Sequence, residues 1–401
     1  MSEEPTSDLT NPDASARRWG DPVLATTHYD HEMTVAGPGG GRGSLDQKLL
    51  SNYHDLTTTG KVNWTGHFRL DRLIGRGGQG EVYLTSYRGT DDFTVPVAMK
   101  VFSPERYDGA AAYSAAMRRI ANIAARVAVI QHDHLLNVQN FLIRRGIRFM
   151  LMEWVDGYDL DYLTSPRRLA FLKDRVSSRR WRYINDVILT EGAKRSRFKA
   201  GMAVAIVREC LGSLAALHRQ NIVHGDIKPS NIMLKLSGHT KLIDMGSAID
   251  YTDPPMSRDC TPRYAAPEVL EDQGPTPRSD LASLGYVLIE LLSGTRIFAD
   301  TTNYRQLLAA KRELPQWLSR ILPSDVTRNE LLMSFIRGLI APDANRRFPN
   351  AYDAQHVEGG ASAFLRQLVF SNMDTQYDND ARVWLEELRM LENEAGDAGL
   401  P

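Results

Sequence analysis

Eight consecutive residues, His224-Gly225-Asp226-Ile227-Lys228-Pro229-Ser230-Asn231, and a second acidic turn thirteen residues beyond Asn231, Asp244-Met245-Gly246, restrict this 401-residue chain more tightly than anything else in it. Asp226 is of the type that accepts a hydroxyl proton, and Lys228 can neutralise a transferring phosphoryl group. Asn231 and Asp244 offer oxygen atoms suited to Mg²⁺. Each residue alone has a plainer explanation, because Asp and Asn are common in turns. Four of them in this order, at these separations, rarely coincide by chance.

Two further signals concern phosphate. Gly75-Arg76-Gly77-Gly78-Gln79-Gly80-Glu81-Val82 is a GxGxxGxV string. Its glycines let backbone N–H groups approach phosphate oxygens with no Cβ in the way. The same glycine spacing marks dinucleotide-binding folds, but there a helix starts at the third glycine, whereas Val82-Tyr83-Leu84 reads as strand. An ordinary glycine-rich hairpin is the bland alternative. Eighteen residues past Val82, Val97-Ala98-Met99-Lys100 ends a strand pattern. A Lys directed inward beside a glycine loop holds phosphates as a point charge, whereas a lone strand Lys is usually a solvated edge residue. The pairing of the two features favours the phosphate reading.

The hydrophobic pattern fits around these motifs. From His67 short alternating apolar stretches are broken by Gly- and Asp-rich turns, which predicts an antiparallel meander. An Ala-rich stretch over 110–130 predicts a helix, and two more strands are expected near Leu142 and over 149–152. Beyond Met202 the pattern is mostly helical, over 202–218, 281–292, 304–311 and 328–340. A β-rich part followed by an α-rich part predicts two lobes, an α+β arrangement. The net charge of −1, from 48 basic and 49 acidic residues, argues against nucleic acid or a membrane surface as partner. Two cysteines, Cys210 and Cys260, with no CxxC pair and no His cluster at ligand spacing, fit a reducing cytosol and exclude the usual zinc modules. The acidic, polar start is unlike a signal peptide, and no uninterrupted run of about 18 apolar residues predicts a membrane span. A cytoplasmic location is expected.

With these residues in hand, the chain resembles the eukaryotic-type serine/threonine protein kinase superfamily, and within it the bacterial kinases, over about residues 68–348. The resemblance implies a bilobal fold over 67–356, with an N-lobe over 67–153 and a C-lobe over 154–356. It implies that ATP is held by Ile74, Gly75, Gly77, Gly78, Gly80, Val82, Ala98 and Lys100. Met152 is implied as gatekeeper, backbone atoms of Glu153 and Val155 at the adenine edge, and Asp159 at the ribose. Mg²⁺, with Mn²⁺ as an alternative, falls to Asn231 and Asp244, and catalysis to Asp226, Lys228, Asn231 and Lys100. Cys260-Thr261-Pro262-Arg263-Tyr264-Ala265-Ala266-Pro267-Glu268 resembles the end of an activation segment, and Asp280–Gly285 the helix that anchors the catalytic loop. Arg347 is implied to pair with Glu268, against the alternative of two surface charges worth roughly 0–1 kcal/mol. Lys228 and Thr261 imply Ser/Thr rather than Tyr specificity, and the activation-segment motif implies protein substrates.

Three departures stand out. The family's second helix supplies a Glu to the strand Lys, at a position falling near Asn122 or Ile123, yet no Glu occurs between Glu105 and Glu153. Asp108, the Asn122 amide or a residue from elsewhere has to substitute. Slow or conditional activity is therefore expected, and a pseudokinase scaffold that binds nucleotide without transfer is the competing reading. Gly225 stands where many kinases carry an Arg that reads a phosphorylated activation segment, so that switch is expected to be lacking. Met245 replaces a Phe, which reads as an apolar filler.

The extensions carry the charge. Residues 1–66 read as a disordered tail with five basic and nine acidic residues. Its threonines Thr26, Thr27, Thr34, Thr57, Thr58 and Thr59 suggest an autophosphorylation platform for a phosphothreonine-reading partner, with Glu32-Met33-Thr34-Val35 first. The insert over 161–200 has eleven basic and four acidic residues, a net of +7. It reads as a solvated loop, or as a dock for an acidic partner such as the acidic tail over 357–401. The last 30 residues of that tail carry −6 and, through Trp384, Leu385, Leu388 and Leu391, a short amphipathic helix.

Overall fold

The computed structural model describes residues 35–36, 47–59, 69–89, 91–254, 259–301, 303–370 and 376–397. The N-terminal half of the core is a five-stranded antiparallel sheet: β1 (Arg72–Gly77), β2 (Gly80–Arg88), β3 (Thr94–Phe102), β4 (Val138–Arg144) and β5 (Ile147–Glu153), in the order β1-β2-β3-β5-β4. Gly77 pairs with Gly80, so the glycine string is the β1–β2 hairpin itself. Lys100 lies on the central strand, opposite Val82 on one side and Met150 on the other. The helix expected over 110–130 is Gly109–Ala128. It buries Tyr113, Ala116, Met117, Ile123, Ala124 and Val127, a stripe at three- and four-residue spacing.

A helix also forms where only tail was expected, at Gln47–Thr59. Leu49, Tyr53 and Leu56 recur every three to four residues and are buried. Asn52 Nδ2 donates to the Arg145 carbonyl at 3.0 Å, and Asp55 pairs with Arg145. The polar average of the first 66 residues conceals this one amphipathic segment. Thr57 and Thr59 belong to it, their hydroxyls donating to the Tyr53 and Asp55 carbonyls, and Thr58 lies in the same helix. Thr26, Thr27 and Thr34 lie outside the described residues.

The C-terminal half is helical around Ala200–His218 and Pro277–Ser293. Ala200–His218 is long and apolar enough to cross a membrane by length and composition, a candidate that a search for unbroken apolar runs overlooks. Most of it is buried in the core, where apolar residues on all faces are satisfied by packing.

The basic segment is folded rather than a loose loop. It comprises helices Pro166–Lys173 and Ser178–Tyr183, a π-turn at Ile184–Ile188 and a hairpin of Leu189–Glu191 with Ser196–Phe198. Leu169, Leu172, Ile184, Ile188, Leu189 and Phe198 anchor it. The C-terminal helix is 21 residues long, Tyr377–Asp397, longer than the short helix expected, and it lies on this segment. Trp384 packs edge-on against Phe198, with ring centres 6.2 Å apart. Arg168 pairs with Glu392 at 3.0 Å, Arg180 with Glu387 at 2.9 Å, and the Tyr183 hydroxyl donates to Asp380 at 2.7 Å. Two arginines of the insert thus meet acidic residues of the tail, while Arg195 pairs with Asp161 and Arg197 with Asp325. Gly201 and Gly238 admit the start of this helix, since a Cβ at either would overlap Tyr377 or the Asp378 carbonyl.

Candidate functional site

Between sheet and helices lies a narrow cleft. Ile74, Val82, Ala98, Leu136, Met152, Val155, Met233 and Ile243 give it apolar walls, and Lys100 and Asp244 close its inner end. This suits a flat aromatic ring with a charged extension. Ile74, Val82, Ala98, Lys100, Met152, Glu153, Val155 and Asp244 were all expected here; Leu136, Trp154, Met233 and Ile243 were not. Trp154 lies between the expected Glu153 and Val155; the signal of the other three was too weak, since isolated apolar residues far apart in sequence mark any core. The hairpin of Gly75, Gly77, Gly78 and Gly80 forms the roof. Gly80 has φ +138°, and a Cβ there would overlap the Val101 carbonyl oxygen, so only glycine fits.

Lys100 is buried, and its Nζ lies 2.6 Å from Asp244 Oδ1 and 2.8 Å from Gln79 Oε1. Burial pushes the Asp244 carboxyl up, but the Lys100 ammonium more than offsets this, and the Gly246 N–H at 3.0 Å helps to bring its pKa down to about 2. A carboxylate with a depressed pKa stabilises the fold fully above its ordinary value of 3.8 and loses that contribution as pH falls toward 2. The Lys100–Asp244 pair is therefore intact throughout the neutral range. The positions aligned with the absent Glu offer no substitute: Asn122 is exposed and Ile123 is apolar and buried. The contacts of Lys100 come from elsewhere, from Gln79 and Asp244. Asp108 precedes the helix Gly109–Ala128.

Opposite Lys100 sits the His224–Asn231 loop. The Asp280 carboxylate accepts hydrogen bonds from the backbone N–H groups of His224 at 2.8 Å and Gly225 at 3.0 Å, and lies 2.9 Å from His218 Nε2. Burial works against that charge, but these donors hold the Asp280 carboxyl below its ordinary value. With the loop so fixed, Asp226 Oδ1 accepts from the Thr261 hydroxyl at 2.7 Å and the Thr261 N–H at 3.1 Å. Lys228 Nζ lies 2.9 Å from Asp226 Oδ2 and 3.1 Å from Thr261 Oγ1. Asn231 Nδ2 donates to the Asp226 carbonyl at 2.8 Å, which turns its Oδ1 the other way. That Oδ1 is buried and has no hydrogen-bond partner. The Ile243 N–H donates to the Asn231 carbonyl at 2.9 Å, tying Asn231 to the residue beside Asp244. An orphaned amide oxygen tethered next to a carboxylate fits a hard divalent cation.

Some expected features lie elsewhere. Asp159 does not line the cleft; it is fully buried and caps the short helix Leu160–Leu163, its Oδ1 accepting from the Tyr162 N–H at 2.8 Å. Burial drives its carboxyl well above the ordinary value, and its Oδ2 has no hydrogen-bond partner. Asp159-Leu160-Asp161-Tyr162 is itself a helix-start pattern that competes with the ribose reading. Gly225 has φ +76°, and a Cβ there would come 2.9 Å from the Ser247 carbonyl oxygen, so this backbone excludes the usual Arg without strain. Met245 is buried, in keeping with a filler. Glu268 and Arg347 form a doubly hydrogen-bonded buried pair at 2.7 and 2.8 Å. The fold also gathers His134, Glu209 and His239, which are far apart in sequence; His239 lies 3.2 Å from Glu209, and His134 Nδ1 lies 2.9 Å from the Thr240 carbonyl.

Comparison with known proteins agrees with this geometry. The model of the protein kinase domain family matches residues 68–357. The serine/threonine-protein kinase PknD of Mycobacterium tuberculosis is 32% identical over 233 residues, 57% of this chain and 30% of that protein. The mouse cAMP-dependent protein kinase catalytic subunit PRKX is 35% identical over 183 residues, 45% of this chain and 47% of that protein. The ribosomal protein S6 kinase 2 alpha of Xenopus laevis is 25% identical over 364 residues, 88% of this chain and 43% of that protein. The chain thus spans less than half the length of these curated relatives.

Proposed function

Because the chain belongs to the protein kinase domain family, we propose that its cleft transfers the γ-phosphoryl group of ATP to serine and threonine hydroxyls of proteins. The observation that carries this reading is the convergence of Asp226, Lys228 and Thr261 on one point, beside the orphaned Asn231 Oδ1. Asp226 takes the proton of the incoming hydroxyl, and Lys228 offsets the charge that gathers on the transferring group. Lys100 binds the α- and β-phosphates from the sheet side, and the glycine hairpin covers them with backbone N–H groups. Asn231 and Asp244 would hold Mg²⁺ or Mn²⁺, and the ion would supply charge neutralisation. Thr261 bonds to both Asp226 and Lys228 and so sits where a substrate hydroxyl is aligned. Chelation with EDTA is expected to stop transfer to a generic basic protein, and added Mg²⁺ or Mn²⁺ to restore it; transfer that persists after chelation contradicts the metal assignment.

One observation favours a second reading. Lys100 lacks a helix-borne carboxylate, as a scaffold that binds nucleotide without transferring phosphate would tolerate. The intact Lys100, Asp226, Asn231 and Asp244 weigh toward the enzyme. Autophosphorylation of the N-terminal threonines, read by a phosphothreonine-binding partner, belongs to the same proposal.

A further inference from the structure

We infer that Gln79, at the tip of the glycine hairpin, is the positioning residue for Lys100 and takes over the work of the absent helix-borne carboxylate. The inference rests on the kinase reading for its catalytic consequence, though not for the contact itself.

Gln79 sits between Gly78 and Gly80, where a polar side chain would ordinarily point into solvent, yet it is only 7% exposed. Its carbonyl accepts from the Ser103 N–H at 2.9 Å, which fixes the hairpin tip against the end of β3. From there the side chain reaches inward. Oε1 accepts from Lys100 Nζ at 2.8 Å, and Nε2 donates to Ser247 Oγ at 3.1 Å. The amide therefore bridges the roof of the cleft, the buried ammonium and the segment just beyond Asp244.

The neighbouring backbone leaves room for this bridge. A Cβ on Gly246 would overlap Gln79 Oε1 and come 2.7 Å from Lys100 Nζ. Glycine at this position thus admits the bridge as well as the sharp turn. The chemistry gives the amide a reason to be there. Among the described residues the carboxylate on Lys100 is that of Asp244, which is also a candidate metal ligand. Once Asp244 is committed to a cation, the Gln79 oxygen is the acceptor that still orients the ammonium. It is the side-chain oxygen at this position that orients the ammonium toward phosphate oxygens.

The test uses the full chain with Mg-ATP and a generic basic protein. Gln79→Ala is expected to lower kcat about ten- to hundredfold, the scale of a roughly 1 Å misplacement, with the KM for ATP moving by less than about threefold. Gln79→Glu is expected to stay within about threefold of wild type. Gly246→Ala evicts the amide and is expected to mimic Gln79→Ala, and the double variant to be no slower than the slower single one. A second measurement needs no activity: reductive methylation of the nucleotide-free protein, read by peptide mass spectrometry. Lys100 is expected to be labelled at least about threefold faster in Gln79→Ala and at the wild-type rate in Gln79→Glu. Unchanged Lys100 labelling in Gln79→Ala overturns the contact. Wild-type kcat in Gln79→Ala, or equal losses in Gln79→Ala and Gln79→Glu, overturns the positioning role. A wild-type protein that transfers nothing while Lys100 labelling responds as expected overturns the kinase reading and leaves the contact standing.

Discussion

Asp226→Asn is expected to slow phosphoryl transfer by about 10²- to 10⁴-fold, the range that a positioned general base supplies. The substitution keeps shape and removes the group that accepts the proton. It also changes the partners: the carboxylate accepts from Thr261 Oγ1 at 2.7 Å and the Thr261 N–H at 3.1 Å and faces Lys228 Nζ at 2.9 Å. An amide can accept from both Thr261 donors with its oxygen but must then present N–H groups toward Lys228. The expected signature is a fall in kcat with ATP affinity little changed, because Asp226 does not line the cleft proposed for the nucleotide ring. Transfer by Asp226→Asn at the wild-type rate would remove Asp226 from the chemistry.

Arg347→Met carries the largest expected effect on stability, a loss of about 3–5 kcal/mol, the usual cost of leaving one member of a buried pair without its counter-charge. The Arg347 guanidinium is fully buried, and it donates to both oxygens of Glu268 and to the carbonyls of Ala341 and Arg278 at 2.7 and 2.9 Å. Its removal strands a carboxylate and two carbonyls together. Burial raises the Glu268 pKa, but the Arg347 contacts outweigh it and hold the carboxyl below its ordinary 4.5. The stabilisation is therefore complete above that pH and fades as pH falls beneath it. Urea denaturation at neutral pH reads the loss directly. A cost below about 1 kcal/mol would place the pair among surface ion pairs despite its burial.

How far the sequence foretold this molecule depended on how local the signal was. The Asp226, Lys228, Asn231 and Asp244 pattern was legible because each residue type has a separate chemical task at a fixed separation, and the fold gathers them as expected. The Gly80 turn and the Lys100 strand were legible from two-residue periodicity and glycine spacing. Asp159 has two readings in the sequence, since one Asp can satisfy a helix start as readily as a sugar, and the fold buries it as the cap of Leu160–Leu163. The helix Gln47–Thr59 was hidden by averaging a polar stretch, although Leu49, Tyr53 and Leu56 already had helical spacing. The insert's charge dominates its composition and so suggests a solvated loop or a dock for the acidic tail; Leu169, Leu172 and Phe198 fix its fold, and the C-terminal helix pairs with Arg168 and Arg180. Gln79 carried no sequence signal at all. Its role depends on Lys100 and Ser247, residues 21 and 168 positions away, and only the folded backbone brings them together.

The central claim is that this cleft transfers phosphate to hydroxyl groups rather than merely holding a nucleotide. The most direct measurement is phosphoamino-acid analysis of a generic basic protein after incubation with the full chain and Mg-ATP, with ADP release followed in parallel. Phosphoserine and phosphothreonine accumulating in step with ADP is the expected result. Saturable nucleotide binding with no phosphoamino acid formed would contradict it.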